Sequence, residues 1–185
     1  SISPSKWPGV PVMAANMDTT GTFGVMDVLS KHSMLTCLTK FYTKDDYESN
    51  LSKCRLQNYN GIVSTGISDK DFIKLSEIID WKASLPDDKD NPTLNWVCVD
   101  VANGYMQKVV EFCQRVREKY PDVILIAGNV ATREMTEELI INGKVDIVKV
   151  GIGPGSACLT RLKTGVGMPQ LSAIIECADA AHGAG

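Results

Sequence analysis

The sequence predicts an α/β fold, a (β/α)8 TIM barrel with about six of its eight strands within the 185 residues. Three observations lead there. Short apolar or β-branched runs alternate with helical patterns at a spacing of roughly 25 residues. The runs are apolar throughout rather than at every second residue, as parallel strands covered on both faces require. Each run closes on small or polar residues (AANMD, TK, STG, DVANG, GNV, GIGPGS). A barrel builds its site from loops at those strand ends, whereas a doubly wound sheet gathers such residues at one switch point.

The strands are expected at VPVMAA near Val10, MLTCLT near Met34, GIVSTG near Gly61, NWVCVDV near Asn95, VILIAGNV near Val123 and VDIVKVG near Val145. TKDDY offers Thr43 and Asp46 at capping-box spacing, and SDKDFIKLSEIID offers Ser68 and Asp71 before an apolar run. KVVEFCQRVREKY places Val109, Val110, Phe112, Cys113 and Val116 on one helical face. TREMTEELIINGK aligns Met135, Leu139 and Ile140 and stops at Asn142-Gly143, the expected C-cap. QLSAIIECADAAH begins a further helix with Ser172 as candidate N-cap. ASLPDDKDNPTLN, charged and proline-containing, reads as a surface excursion before the fourth strand.

Composition narrows the function classes. The chain is 44% hydrophobic and 22% charged with a net charge of −3, so it has no basic field and nucleic acid is not an expected partner. No apolar run approaches the ~18 residues of a membrane helix, so no membrane association is expected. SISPSKWPGVP lacks a charged region followed by an apolar one, so no signal peptide is expected. The six cysteines (37, 54, 98, 113, 158 and 177) form no CxxC pair and no zinc spacing with His32 or His182. Free thiols in a reducing, cytoplasmic compartment are expected.

The segment VDIVKVGIGPGSACLTR, residues 145–161, carries the chemistry. Gly151, Gly153 and Gly155 let the backbone reach positive φ and approach a ligand closely, and successive N–H groups in such a loop form an anion nest. Ser156 adds a hydroxyl and Pro154 stiffens the turn. The dinucleotide fingerprint GxGxxG fits weakly, because Ser156 stands at its sixth position and the loop follows the sixth strand. No GxxxxGK[ST] is present, and a ligand-free glycine turn remains open. Cys37, Cys98, Cys113 and Cys177 lie in apolar runs and read as core, while Cys54 reads as surface or helix boundary. Cys158 follows the nest and precedes Arg161, two features that favour a thiolate. Nucleophile and small buried hydrophobe both stay open for it.

At this point the motifs become specific. GIGPGSACLTR with KTGVGMPQLSAIIECADAAH, GVPVMAANMDTTGTF, STGISDKDF, VDVANGY and AGNVATREMTEELI resemble the IMP dehydrogenase/GMP reductase family across nearly the whole chain. Ala102-Asn103-Gly104-Tyr105 stands where dehydrogenases carry a Ser-Gln-Gly-Asn type segment, and there is no room for their regulatory insertion. The reductase branch is the nearer. That resemblance implies conversion of GMP to IMP and ammonia with NADPH, in purine salvage. Cys158 would be the nucleophile that forms a covalent thioimidate, and Thr160 would handle the proton of the departing ammonia. Ser156, Asn16, Met17 and Asp18 would line the GMP site. Lys40, Asp100, Val101, Ala102, Ile152 and Gly153 would contact the cofactor. Gly153, Gly155 and Cys158, with Arg161, would hold a potassium ion.

The resemblance also implies a homotetramer and a domain over 1–185 that is incomplete at both ends. About forty residues would precede it. The seventh and eighth strands, a second phosphate site, the flap and the glutamate partner of Thr160 would follow. Two positions depart from the family pattern: Met168 replaces a usual tyrosine and Leu159 a threonine. Blander alternatives are a solvated surface lysine for Lys40, a strand-end cap for Asp100 and a simple turn for Asn103-Gly104. Two readings compete with the reductase: an IMP dehydrogenase sharing Cys158, and a non-catalytic nucleotide-binding barrel fragment.

Overall fold

The computed structural model describes residues 7–51, 60–85 and 95–184. The chain divides into two compact units. One holds the residues up to Cys98 with Asp122–Ile124, the other Val99–Pro121 with Leu125–Gly185. In the first unit β1 (Met13–Ala14), β2 (Leu35–Cys37) and β3 (Gly61–Thr65) pair in parallel, with Met13 opposite Leu35 and Thr36 opposite Gly61. The order continues to the first half of β4 (Trp96–Asp100). In the second unit the order runs from the end of β4 through β5 (Ile124–Val130) to β6 (Ile147–Val150), and β5 and β6 are parallel. All six expected runs are therefore strands, and strands alternate with helices.

Burial explains why these runs read as unbroken apolar stretches. Every residue of β2 and β3 is buried, as are β4 through Val99 and all of β5 except Asn129. In the first unit α1 (Phe23–Ser30), α2 (Lys44–Leu51) and α3 (Asp69–Ala83) follow their strands. Phe23 packs on Tyr42 and Tyr47 with ring centroids 4.6 and 5.2 Å apart. In the second unit α4 (Gln107–Lys119), α5 (Arg133–Ile141), α6 (Thr160–Thr164) and α7 (Gln170–Gly183) complete the series, and α5 packs on α7. The expected face of α4 is buried: Val109, Val110, Phe112, Cys113 and Val116. Cys37, Cys98, Cys113 and Cys177 are buried. Cys54 and most of the excursion before β4 lie outside the described residues. Among the described residues no helix is long and apolar enough to cross a membrane.

The caps follow the sequence with two exceptions. Ser68 and Asp71 form the full capping box of α3, and Thr43 and Asp46 exchange the same pair of bonds at α2. The helix expected to start at Ser172 begins instead at Gln170. Pro169 presets φ at −56° and Ser172 lies inside the first turn. At the end of α5 Asn142 stays right-handed and the left-handed residue is Lys144, at φ 56°. Gly143 serves another need, since a Cβ there would sit 2.6 Å from the Leu139 carbonyl oxygen. Two helices carried no periodic signal. α1 (FGVMDVLS) buries only Phe23 and Met26, and α6 is five residues long. The cap of α1 is Thr22, whose hydroxyl accepts from the Val25 N–H at 3.2 Å.

Burial pushes the Asp71 carboxyl up, but the Ser68 hydroxyl and N–H both donate to it, and the net effect holds it below the usual carboxylate range. A depressed folded value stabilises above the unfolded pKa and is lost as pH falls through the folded one. Ser68→Ala is expected to lower stability by about 1 kcal/mol in urea unfolding at neutral pH. The gap from the parent should narrow below pH about 4, the unfolded carboxylate value.

Candidate active site

β6 delivers the chain into the 151–158 loop, and the backbone there is held residue by residue. Val150 O accepts from Gln170 Nε2 at 3.1 Å, Gly151 O from Asn129 Nδ2 at 2.8 Å and Ile152 O from Met168 N at 3.0 Å. Gly151 (φ +130°) and Gly153 (φ +63°) occupy the region that favours glycine. A Cβ on Gly151 would also come within 2.5 Å of Gln170 Oε1. Gly155 departs from the expectation of three positive φ angles. Its conformation is open to any residue, and an added Cβ would make only ordinary contacts with Cys158, to Cβ at 3.6 Å and N at 3.9 Å. The clamps Asn129 and Gln170 were absent from the sequence-derived set. Their signal was there: a lone amide ends the apolar β5 run, and another follows Pro169 at a helix start.

The loop turns back on itself at the thiol. Cys158 N donates to Gly155 O at 3.1 Å, and the half-buried Sγ lies 3.3 Å from Thr160 Oγ1. The Thr160 hydroxyl, then its backbone N–H, hold the Cys158 thiol below its ordinary value against the opposing effect of desolvation, and the Arg161 charge adds least. The sequence pointed to the nest and Arg161 as activators; the larger share belongs to Thr160. Arg161 acts mainly as a brace. Its stem runs past Gly153 and Gly167, where a Cβ on Gly167 would sit 2.7 Å from Arg161 Cδ. Its Nη2 donates to Gly155 O at 3.2 Å.

That contact bears on the expected potassium site. Gly153, Gly155, Cys158 and Arg161 do share one turn. The Gly155 carbonyl, however, already accepts from both Cys158 N and Arg161 Nη2, which engages both lone pairs. A cation there would also face the guanidinium. This arrangement therefore does not fit a potassium ion on Gly155. Among the described residues, no group of three or more His, Cys, Asp and Glu side chains could hold a metal. Ser156 is exposed on the same turn.

Asp100 ends β4 with its carboxylate 2.5 Å from Lys149 Nζ. Val101 continues the pairing beyond the strand, donating to Gly128 O and accepting from Asn129 N, both at 3.0 Å. Ala102 is exposed. Ile152 is buried and lines a cavity of about 480 Å³ with Asn103, Tyr105, Thr132, Val166 and Met168. Its Tyr105 wall is pinned, because the hydroxyl donates to Thr132 Oγ1 at 2.9 Å and accepts from Ala131 N at 3.3 Å. All these groups belong to the second unit. Asn16, Met17, Asp18 and Lys40 belong to the first. There Asp18 accepts from the Thr39 hydroxyl at 3.3 Å, Met17 is exposed, Asn16 is half-buried, and the half-buried Lys40 lends its carbonyl to Lys74 Nζ.

A family model described as IMP dehydrogenase / GMP reductase domain matches residues 8–185. The chain belongs to the IMP dehydrogenase/GMP reductase family. It is 51% identical over 184 residues to a GMP reductase of Shigella boydii serotype 18, covering 99% of this chain and 50% of that one. It is 50% identical, with the same coverage, to a GMP reductase of Escherichia coli O1:K1. The chain thus spans about half the length of the curated relatives it matches. Among solved structures, inosine 5′-monophosphate dehydrogenase from Legionella pneumophila superposes with a TM-score of 0.77 at 29% identity, over 93% of this chain and 49% of that one. The fold class is accordingly the family's α/β barrel, with six of its strands among the described residues.

Thr160→Val should raise the pH at which Cys158 becomes reactive, seen as an upward shift in the midpoint of iodoacetamide alkylation against pH. Thr160→Ser should keep the parent profile, because the hydroxyl donor remains.

Proposed function

We propose that this chain carries the catalytic loop of an NADPH-dependent GMP reductase, which converts GMP to IMP and ammonia. The observation that carries the reading is the Cys158 thiol, set at the end of a clamped glycine loop and lowered in pKa by Thr160. Identity of about 50% to curated GMP reductases over nearly the whole chain supports it.

In this reading the Cys158 thiolate attacks purine carbon 2 and a carbon–sulfur bond forms. The bond from that carbon to the amino nitrogen breaks, and Thr160 relays the proton that lets ammonia leave. NADPH, when bound, supplies the two electrons that reduce the carbon. Cys158 then departs as a thiolate, which the Thr160 hydroxyl and N–H stabilise. Ser156 would bind the GMP phosphate, and Asn16, Met17 and Asp18 would line the pocket. Lys40, Asp100, Val101, Ala102, Ile152 and Gly153 would hold the cofactor. The cavity at Ile152 has the size and mostly apolar lining of a ring-binding pocket, which supports that assignment. No step is routed through potassium. A cytoplasmic homotetramer accompanies the reading on family resemblance.

IMP dehydrogenase is the competing activity. It would share Cys158 but run an oxidation followed by hydrolysis. The higher identity to reductases (51%) than to the Legionella dehydrogenase (29%) favours the reductase.

Incubation of the longest form of the protein with GMP and NADPH should consume NADPH, tracked by its absorbance, and release ammonia. Cys158→Ala should abolish both. NADPH loss without GMP, or GMP-dependent turnover surviving in Cys158→Ala, contradicts the reading.

A further inference from the structure

We propose that Lys149 is a positioning residue for the cofactor side of this site, fixing the Asp100 carboxylate from two strands away. The inference rests on the reductase reading and adds a residue to it. Among the strand residues of the described chain only Asp100 and Lys149 are charged. They meet, Nζ to Oδ1 at 2.5 Å, with side chains only 27% and 22% exposed. Both sit at or next to the carboxyl ends of their strands, where a barrel places its chemistry.

Reaching across is not free of cost or obstacle. β5 lies between β4 and β6 in strand order, so the pair spans about 10 Å of sheet. The β5 residue opposite Lys149 is Gly128, and a Cβ there would lie 2.6 Å from Lys149 Cβ. Only glycine lets β6 lie that close at this level.

Stability does not account for the arrangement. A half-buried ion pair returns little net free energy, since desolvation of both charges offsets their attraction. Orientation does account for it. An ionised carboxylate only accepts hydrogen bonds. A fixed ammonium on Oδ1 therefore holds the Asp100 carboxylate in one rotamer. Two residues after Asp100 comes the exposed Ala102, then Asn103 and Tyr105 of the cavity wall. A carboxylate held there is suited to accept from an amide N–H or ribose O–H of the dinucleotide.

The test uses the longest form of the protein, with NADPH affinity from fluorescence titration, KM for both substrates and the melting temperature. Lys149→Met is expected to weaken NADPH binding about tenfold, the loss of one charge-assisted contact. GMP KM should stay within about twofold, since no coupling to that side is proposed. Lys149→Arg should restore most of the NADPH affinity. Asp100→Asn should match Lys149→Met, and the double variant should be no worse than either single. Unchanged NADPH affinity in Lys149→Met overturns the inference. Additive single effects, or equal losses for GMP and NADPH with a fallen melting temperature that arginine does not rescue, also overturn it. Parent protein that binds NADPH but shows no GMP-dependent oxidation overturns the reductase reading instead, and leaves the binding comparison to judge Lys149.

Discussion

The site depends on a rigid run of three backbone carbonyls. Val150, Gly151 and Ile152 leave β6 with their oxygens taken in turn by Gln170, Asn129 and Met168. Two side-chain amides and one backbone N–H thereby convert a flexible glycine segment into a fixed turn. Glycine is needed there because the grip is so close, most plainly at Gly151 against Gln170. Everything after the turn inherits its position: the Gly155 carbonyl, the Cys158 thiol and the start of α6. A nucleophile must stand within a few tenths of an ångström of its productive place, and a loop can supply that only when its backbone is tied down.

Charge is then placed sparingly. The thiol owes its lowered pKa mostly to two donors of one residue, Thr160, rather than to a nearby formal charge. Arg161 spends its guanidinium on the Gly155 carbonyl and threads its stem past two glycines, so it shapes the loop more than it charges it. Strand interiors are neutral except where Lys149 meets Asp100. Arg117 makes a comparable clip at the amino ends of β5 and β6. It bonds the Lys144 and Pro121 carbonyls and Asp146, whose carboxylate also accepts from Leu125 N at 2.7 Å. That clip closes backbone ends and has no loop of small residues beside it.

Much of this was legible in the sequence because local chemistry decided it. Strands β2 to β5 showed as apolar runs since both their faces are buried. The Ser68–Asp71 and Thr43–Asp46 caps depend on a spacing of three and nothing else. Cys158 stood apart from the four buried cysteines by its glycine neighbours. What stayed hidden has long-range causes. Asn129 and Gln170 act on a loop some twenty residues away, and no spacing rule encodes that reach. Ser172 looked like a cap because serine suits one, but Pro169 and the Gln170 tether start the helix earlier. α1 escaped notice because its apolar residues cover more than the face that Phe23 and Met26 bury. Gly155 resembled its two neighbours in sequence but differs from them in backbone angle, exposure and the room around its Cα.

The central claim is that Cys158 is an activated nucleophile that meets GMP. Limiting iodoacetamide, followed by mass spectrometry of each cysteine with and without GMP, tests it most directly. Cys158 should label far faster than Cys37, Cys98, Cys113 and Cys177, and GMP should protect it alone. Labelling of Cys158 no faster than the buried thiols, or unaffected by saturating GMP, would contradict the account.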